Sequence, residues 1–177
     1  QVLVDDYFDT YPETRVFLAQ CRARVHEPSW LCNAFGRYRR FPQSAEKSVI
    51  AEQERQAQNF PIQSLVADAM NLAIANLYRY RDQHPSVLYD IVLQIHDAVL
   101  LEVPVEHIAE VCDTVLPYCM SEMVPVVPAD LSGEPMRAAD GSLLTYRLAS
   151  DRDISVNWGI SLTDEQAESL GIPSRLL

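Results

Sequence analysis

The sequence predicts an α+β fold: a small antiparallel sheet built on one β-hairpin and packed against long helices. Three observations carry this. Two apolar runs rich in β-branched residues, Ile91 to Ile95 and Val99 to Val103, are separated only by His96-Asp97-Ala98, the pattern of two paired strands with a tight turn. The segment before them, Ala45 to about Tyr80, has helical periodicity, with Val66, Ala69, Met70, Ala73 and Leu77 forming an apolar stripe. The segment after them repeats the helical template through Ile108, Val111, Cys112, Val115, Leu116 and Cys119, with Pro104 at its start. This last helix is expected to cover one face of the sheet.

The remaining elements follow in chain order. Val4, Tyr7, Phe8 and Tyr11 recur at helical spacing from the first residues, although the chain begins at Gln1 without a methionine. We therefore expect a piece of a longer protein or a processed product. Thr10-Tyr11-Pro12-Glu13 has the pattern of a capping box with proline in the first turn, which predicts a second helix from Pro12 to about Arg24. Pro28, Gly36 and Pro42 lie among aromatics and arginines in His26 to Ser44, which predicts a loop or short hairpin with Leu31 to Phe35 as one arm. Pro61 lies inside the long helical run, so a kink or break is expected near Asn59. Val124-Pro-Val-Val-Pro reads as an edge strand. Ser132 to Asp153 is polar and reads as a surface excursion with a hairpin through Leu143 to Leu148, and Thr163-Asp-Glu-Gln caps a short last helix ended by Gly171.

Composition narrows the class. With 177 residues, 48% hydrophobic and 22% charged, the chain suits one ordinary domain or two small lobes, and disorder is not expected. No apolar run approaches the roughly 20 residues that span a bilayer, so no membrane association is expected and a cytoplasmic location is. Cys21, Cys32, Cys112 and Cys119 match no Cys-x-x-Cys metal motif and sit in apolar helical patterns, which predicts buried free thiols. The net charge of -11 argues against a generally nucleic-acid-binding surface, but its distribution is uneven. Residues 1 to 60 carry eight basic and eight acidic side chains, whereas residues 61 to 177 carry six and 17. Any phosphate contact is thus expected from the first third, where Arg37, Arg39 and Arg40 cluster.

Two groups of residues point to chemistry. Asp97 sits at the hairpin tip between apolar strands; a carboxylate buried there costs several kcal/mol unless paired, and a divalent cation would supply the pairing. Arg55, Asn59 and Gln63 are spaced by four, which places them along one helix face roughly 6 Å apart. Such a row of donors matches the minor groove of a duplex, where every base pair offers the same acceptors whichever way round it lies. A solvated polar face has the same spacing. His84 and His107 read as solvated, and Trp30 and Trp158 as packing residues.

Taken together, Glu54-Arg-Gln-Ala-Gln-Asn-Phe-Pro-Ile-Gln63, Ala67-Asp68, Gln94-Ile-His-Asp97 and Glu102-Val-Pro104 resemble the palm of the family A DNA polymerases, the class of bacterial DNA polymerase I and many phage replicases. Phe35-Gly-Arg-Tyr-Arg-Arg-Phe-Pro42 is similar to that family's Gly-Arg-Arg-x-x-x-Pro element, Tyr11-Pro12 to the Tyr-Pro of its fingers, and Asn157-Trp158 to an Asn-Trp near its C-terminus. The resemblance implies residues 1–45 as the end of the fingers with a basic loop or hairpin. It implies residues 46–177 as palm, with the motif C hairpin and a C-terminal extension. It implies Asp97 as a ligand of catalytic Mg²⁺ and His96 as a contact to the primer end. It also implies Arg55, Asn59 and Gln63 as minor-groove contacts to primer-template DNA, with Arg37, Arg39 and Arg40 leaning toward the template backbone. In that chemistry two Mg²⁺ ions serve the attack of the primer hydroxyl on the α-phosphate of a dNTP.

The sequence departs from the family at several positions. Ala98 replaces the usual acid after His-Asp, Ser64 a usual glycine and Asn71 a frequent lysine, and the excursion from Ser132 is longer than the family's. No match to motif A or motif B is present. One aspartate does not hold two Mg²⁺ ions, so the resemblance implies completion by a separate N-terminal polypeptide carrying both motifs, in a bacterial or phage-infected cell. An apolar sheet surface is expected where that polypeptide joins. The alternative is a non-catalytic DNA-binding or assembly subunit derived from such a polymerase, and a weaker one is a metal phosphohydrolase built on His96-Asp97.

Overall fold

The computed structural model describes residues 2–157 and 160–176, and these form two compact units. One contains residues 1–66 and 127–145, the other residues 67–126 and 146–177. The fold is α+β, as the sequence predicts, with four separate two-stranded antiparallel sheets among the described residues. Trp158, half of the Asn-Trp pair, lies outside them.

The first unit opens with α1, Val2–Thr10, and α2, Pro12–His26. They are separate helices because helical geometry is disfavoured for a residue before proline, and Tyr11 lies outside it at φ -126, ψ 70. The expected capping box does not form. Tyr11, not Thr10, is the N-cap, and Thr10 Oγ1 donates back to the Asp6 carbonyl at 2.8 Å inside α1. The basic hairpin follows as β1, Trp30–Cys32, and β2, Tyr38–Arg40, in the register Trp30↔Arg40, Leu31↔Arg39, Cys32↔Tyr38. Its first arm is shorter than expected, since Ala34 and Phe35 belong to the turn. Leu31, Phe41, Cys21, Val25, Ala57 and Leu131 form the core of this unit, with Phe17 and Phe60 against it.

α3, Lys47–Gln83, runs through Pro61 without a break, contrary to the interruption expected near Asn59. Proline removes the donor that the Ala57 carbonyl would use and costs about 3 kcal/mol in a helix interior. Packing on both sides offsets this, because Ala57 is fully buried, Pro61 is buried and Phe60 packs on the core. The helix face thus chosen leaves Arg55, Asn59 and Gln63 outside. Part of the polar excursion packs on this unit as well: the Cys32 amide donates to the Leu131 carbonyl at 3.0 Å, and Gly133, at φ +89, lies so close that a Cβ there would stand 3.1 Å from Cys32 Sγ.

In the second unit the rest of α3 presents Ala69, Met70, Ala73 and Leu77 to the interior, whereas Val66, the last α3 residue of the first unit, is exposed. The predicted hairpin is β3, Asp90–Ile95, and β4, Ala98–Glu102, joined by the two-residue turn His96-Asp97. Val92 is the extra residue of a bulge, since Ile91 pairs with Leu101 and Leu93 with Leu100. Leu77, Val87, Tyr89, Val111, Val115 and Cys119 form the core beneath it, and the Tyr89 hydroxyl donates to the Leu77 carbonyl at 2.6 Å. Burial pushes that phenol up to about 12.

The helix expected after Pro104 is present but is not a plain α-helix. It passes from a 3₁₀ turn, Val105–His107, through one α turn, Ile108–Glu110, into wide π-helical stretches at Val111–Val115 and Tyr118–Glu122. Pro117 lies between the two, where it offers no amide to the preceding turn. Asn76, which the sequence reading passed over, holds the end of this segment: its Nδ2 donates to the carbonyls of Cys119 and Met123 at 3.2 and 3.0 Å.

The edge strand is β5, Pro125–Val126, paired with β6, Tyr146–Arg147, and β7, Ser155–Asn157, pairs with β8, Ile160–Ser161. The last helix, Asp164–Ser169, carries the predicted capping box between Thr163 and Gln166 and ends at Gly171 with φ +69. All four cysteines are free and buried; burial raises every thiol, Cys21 and Cys119 to about 11. No helix among the described residues is long and apolar enough to cross a membrane.

Candidate nucleic-acid interface and metal-ligand turn

Each unit carries one group of the predicted residues. In the first, Arg55, Asn59 and Gln63 are all exposed and stand along one face of α3, opposite the buried Ala57. Arg55 is tethered to Glu52, its Nε donating at 3.1 Å, in an exposed pair that water screens. Hydrogen bonds from Gln56 and from Arg55 hold the Glu52 carboxyl below its ordinary value.

The three hairpin arginines differ. Arg37 and Arg40 are exposed, whereas Arg39 is half-buried, its guanidinium 5.8 Å from the ring centres of both Phe41 and Phe60 and bonded to Gln56 Oε1. Gln56 Nε2 in turn donates to Glu52 at 2.9 Å. Arg39, Gln56, Glu52 and Arg55 therefore form one chain of polar contacts from the hairpin to the α3 row. Arg39 is placed to stiffen this surface, whereas Arg37 and Arg40 are exposed.

The residue that sequence reasoning missed is Asn33, only 2% exposed. Its Oδ1 accepts from the amides of Phe35 and Arg37, both at 2.9 Å, and its Nδ2 donates to Ser64 Oγ at 2.8 Å. Ser64 donates onward to the Phe60 carbonyl at 2.6 Å. The serine that departs from the family's glycine thus ties α3 to the hairpin turn. An Asn three residues before Gly36 in a turn was the available signal. Asn33→Ala leaves two part-buried amides without their acceptor and is expected to lower stability by about 2 kcal/mol. A fall in the urea midpoint at unchanged slope is the readout, and a change below about 0.5 kcal/mol would show the network to be dispensable.

In the second unit His96 and Asp97 occupy the turn between Ile95 and Ala98, with His96 in the left-handed region at φ +52. His, Asn and Asp enter this region most readily among non-glycine residues. Asp97 is exposed, which corrects the premise that its carboxylate is buried between the strands. A two-residue turn projects its side chains beyond the ladder, so desolvation does not demand a counter-ion there. What the geometry leaves is an accessible hard oxygen donor on a two-residue turn. Mg²⁺ takes one or two carboxylates plus water and substrate phosphates. Asp97 fits one corner of such a site, and no cluster of three His, Cys, Asp or Glu able to complete it occurs among the described residues.

The strand next to the turn bears exposed apolar side chains. Val92, Leu93 and Ile95 are 54%, 41% and 40% exposed, and β3 pairs only with β4 among the described residues. Asn71, in the frequent lysine position, is exposed on α3.

Comparison with known proteins supplies the context. The family model for DNA polymerase family A matches residues 1–134. The thermostable DNA polymerase I of Thermus caldophilus is 30% identical over 144 residues, covering 78% of this chain and 17% of that protein. DNA polymerase I of Pseudomonas aeruginosa is 29% identical over 130 residues, covering 72% of this chain and 14% of that protein. The chain therefore spans less than a fifth of the length of these curated relatives. The POL domain of Pol1 from M. smegmatis, solved in complex with DNA primer-template and dNTP, superposes with a TM-score of 0.65 at 27% identity, over 73% of this chain and 23% of that one. The matched residues include the basic hairpin, the α3 row and the His96-Asp97 turn, and the chain belongs to DNA polymerase family A.

Proposed function

We propose that this chain is the C-terminal portion of a DNA-directed DNA polymerase. In this reading residues 1–45 are the end of the fingers and residues 46–177 the palm with its extension. It binds primer-template DNA and supplies one metal-binding aspartate for nucleotidyl transfer. The observation that carries the reading is the row Arg55, Asn59 and Gln63, solvent-facing on a helix whose other side is core, beside a basic hairpin tied to the same helix. Minor-groove acceptors are common to all base pairs, so such a row tests pairing without reading sequence.

A separate N-terminal polypeptide completes the assembly, bringing motifs A and B, the second aspartate and the dNTP contacts. The exposed Val92, Leu93 and Ile95 on the open side of β3 suit its docking. When bound, Mg²⁺ stabilises negative charge developing on the transferred phosphoryl group. Asp97 would hold it, and His96, its neighbour on the turn, would meet the primer end. Subunit analysis of native material tests the split: a co-purifying polypeptide with motifs A and B is expected.

DNA binding by the full chain tests the rest. Asn59→Ala and Gln63→Ala should each weaken primer-template binding by roughly five-fold, the worth of one hydrogen bond of about 1 kcal/mol. The loss should be equal on A·T-rich and G·C-rich duplexes. Fluorescence anisotropy reads both, and unchanged affinity in both variants would remove the row from the interface. The second reading, a non-catalytic DNA-binding subunit, draws on Ala98, which leaves the turn with a single carboxylate.

A further inference from the structure

On the solvent side of the basic hairpin the structure places an aromatic pair that the row on α3 does not use. Trp30 and Tyr38 are diagonal neighbours across β1 and β2, with ring centres 5.1 Å apart. Leu31 and Arg39 face the core from the same strands, so Trp30, Cys32, Tyr38 and Arg40 share the other face, on which Cys32 is buried close to Gly133 while Tyr38 and Arg40 stay exposed. Tyr38 is 61% exposed, and Trp30 is half-buried beneath the Arg24 guanidinium, 5.7 Å from its ring centre. Arg40 lies directly across from Trp30 and is exposed. Residues 22–41 hold five arginines and one acid, Glu27, in a chain of net charge -11. Asp130, within electrostatic reach of Arg24, is the acid the fold brings near.

The Tyr38 ring with its neighbour Trp30 offers an aromatic surface, and Arg24 over Trp30 and Arg40 across from Trp30 give that surface positive charge. Unpaired nucleotides combine a flat π-face with a phosphate. Duplex DNA does not, because its bases are stacked on one another. We propose that Trp30 and Tyr38, flanked by Arg24 and Arg40, form a stacking platform for an unpaired nucleotide of single-stranded DNA. The tyrosine ring stacks on the base and the arginines meet its phosphates. This inference rests on the reading that the chain binds DNA, and it adds a site for a single strand to one for a duplex.

The test uses the full chain, a labelled oligothymidylate of about a dozen nucleotides, and a blunt duplex of the same length, at one salt concentration. Tyr38→Ala should weaken oligothymidylate binding roughly ten-fold, as loss of one stacked base does, while duplex affinity changes less than about two-fold. Tyr38→Phe should restore the single-strand affinity, because the ring and not the hydroxyl carries it. Thermal unfolding should be unaltered, since Tyr38 is exposed. If the duplex is bound but Tyr38→Ala leaves the oligothymidylate affinity unchanged, the platform is refuted and the duplex-binding reading stands. If Tyr38→Phe loses as much as Tyr38→Ala, stacking is refuted. If the unaltered chain binds neither probe, the DNA-binding reading falls and the platform with it.

Discussion

Asp97→Asn in the assembled polymerase is expected to reduce Mg²⁺-dependent primer extension on the order of 10³-fold or more, with primer-template affinity unchanged within about two-fold. The argument starts from the turn. Asp97 is exposed at the tip of a two-residue hairpin whose strands are paired up to Ile95 and Ala98, so the substitution leaves the turn geometry and the core untouched. Asparagine keeps the shape and removes the charge that a hard cation requires. Charge stabilisation by a metal is worth several kcal/mol in a phosphoryl transfer, and each 1.36 kcal/mol is a factor of ten in rate. Ala98 sharpens the test, because no neighbouring acid on this turn takes over. Extension that persists in Asp97→Asn would sink the assignment of Asp97. An assembly that binds primer-template and extends nothing even with Asp97 intact would establish the non-catalytic subunit.

Leu77→Ala carries the largest expected effect on stability. Leu77 is fully buried at the centre of the second unit, against Val87, Tyr89, Val111, Val115 and Cys119. Truncation removes apolar area and leaves a cavity, and such changes cost about 3 to 4 kcal/mol where neighbours collapse poorly. Collapse is restricted here, since the Leu77 carbonyl receives the Tyr89 hydroxyl and Asn76 is tied to the carbonyls of Cys119 and Met123. A loss of this size is a large fraction of an ordinary domain's stability. Hydrogen exchange at the β3 and β4 amides should accelerate with the fall in the urea midpoint, because the hairpin rests on the same cluster. A cost below about 1 kcal/mol would mean that this core is loosely packed and does not support the turn.

Both predictions concern one hairpin, and its legibility explains much of what the sequence reveals. Strand pairing, turn position and the polarity of the tip follow from period-two apolar runs around a two-residue break, a local pattern. The exposed row on α3 is legible for a similar reason: a spacing of four places side chains in line whatever the helix packs against. The capping box at Thr163 formed and the one at Thr10 did not, because Pro12 moved the helix start past Thr10.

Elsewhere the outcome depended on contacts distant in sequence. Pro61 does not break α3, because Ala57, Phe60 and Pro61 are held by a core that also recruits Leu131. Asn33 became the knot of the basic hairpin only when Ser64, 31 residues away, arrived beside it. Arg39 reads like its neighbours in the sequence, yet strand alternation turns it inward onto two phenylalanines while Arg40 faces solvent.

The sequence by itself determined the fold class, most of the helices, the His96-Asp97 hairpin, the free buried thiols and the polymerase-like motifs, since each rests on periodicity or on residues close in the chain. The hairpin expected through Leu143 to Leu148 did not form, because Tyr146 and Arg147 pair with the distant Pro125 and Val126. Tertiary structure alone decided that Pro61 does not break α3, that Arg39 and Asn33 stiffen the hairpin, and that Tyr38 stays exposed beside a half-buried Trp30. Burial and side-chain direction are set by which surfaces meet, and no local pattern contains that information.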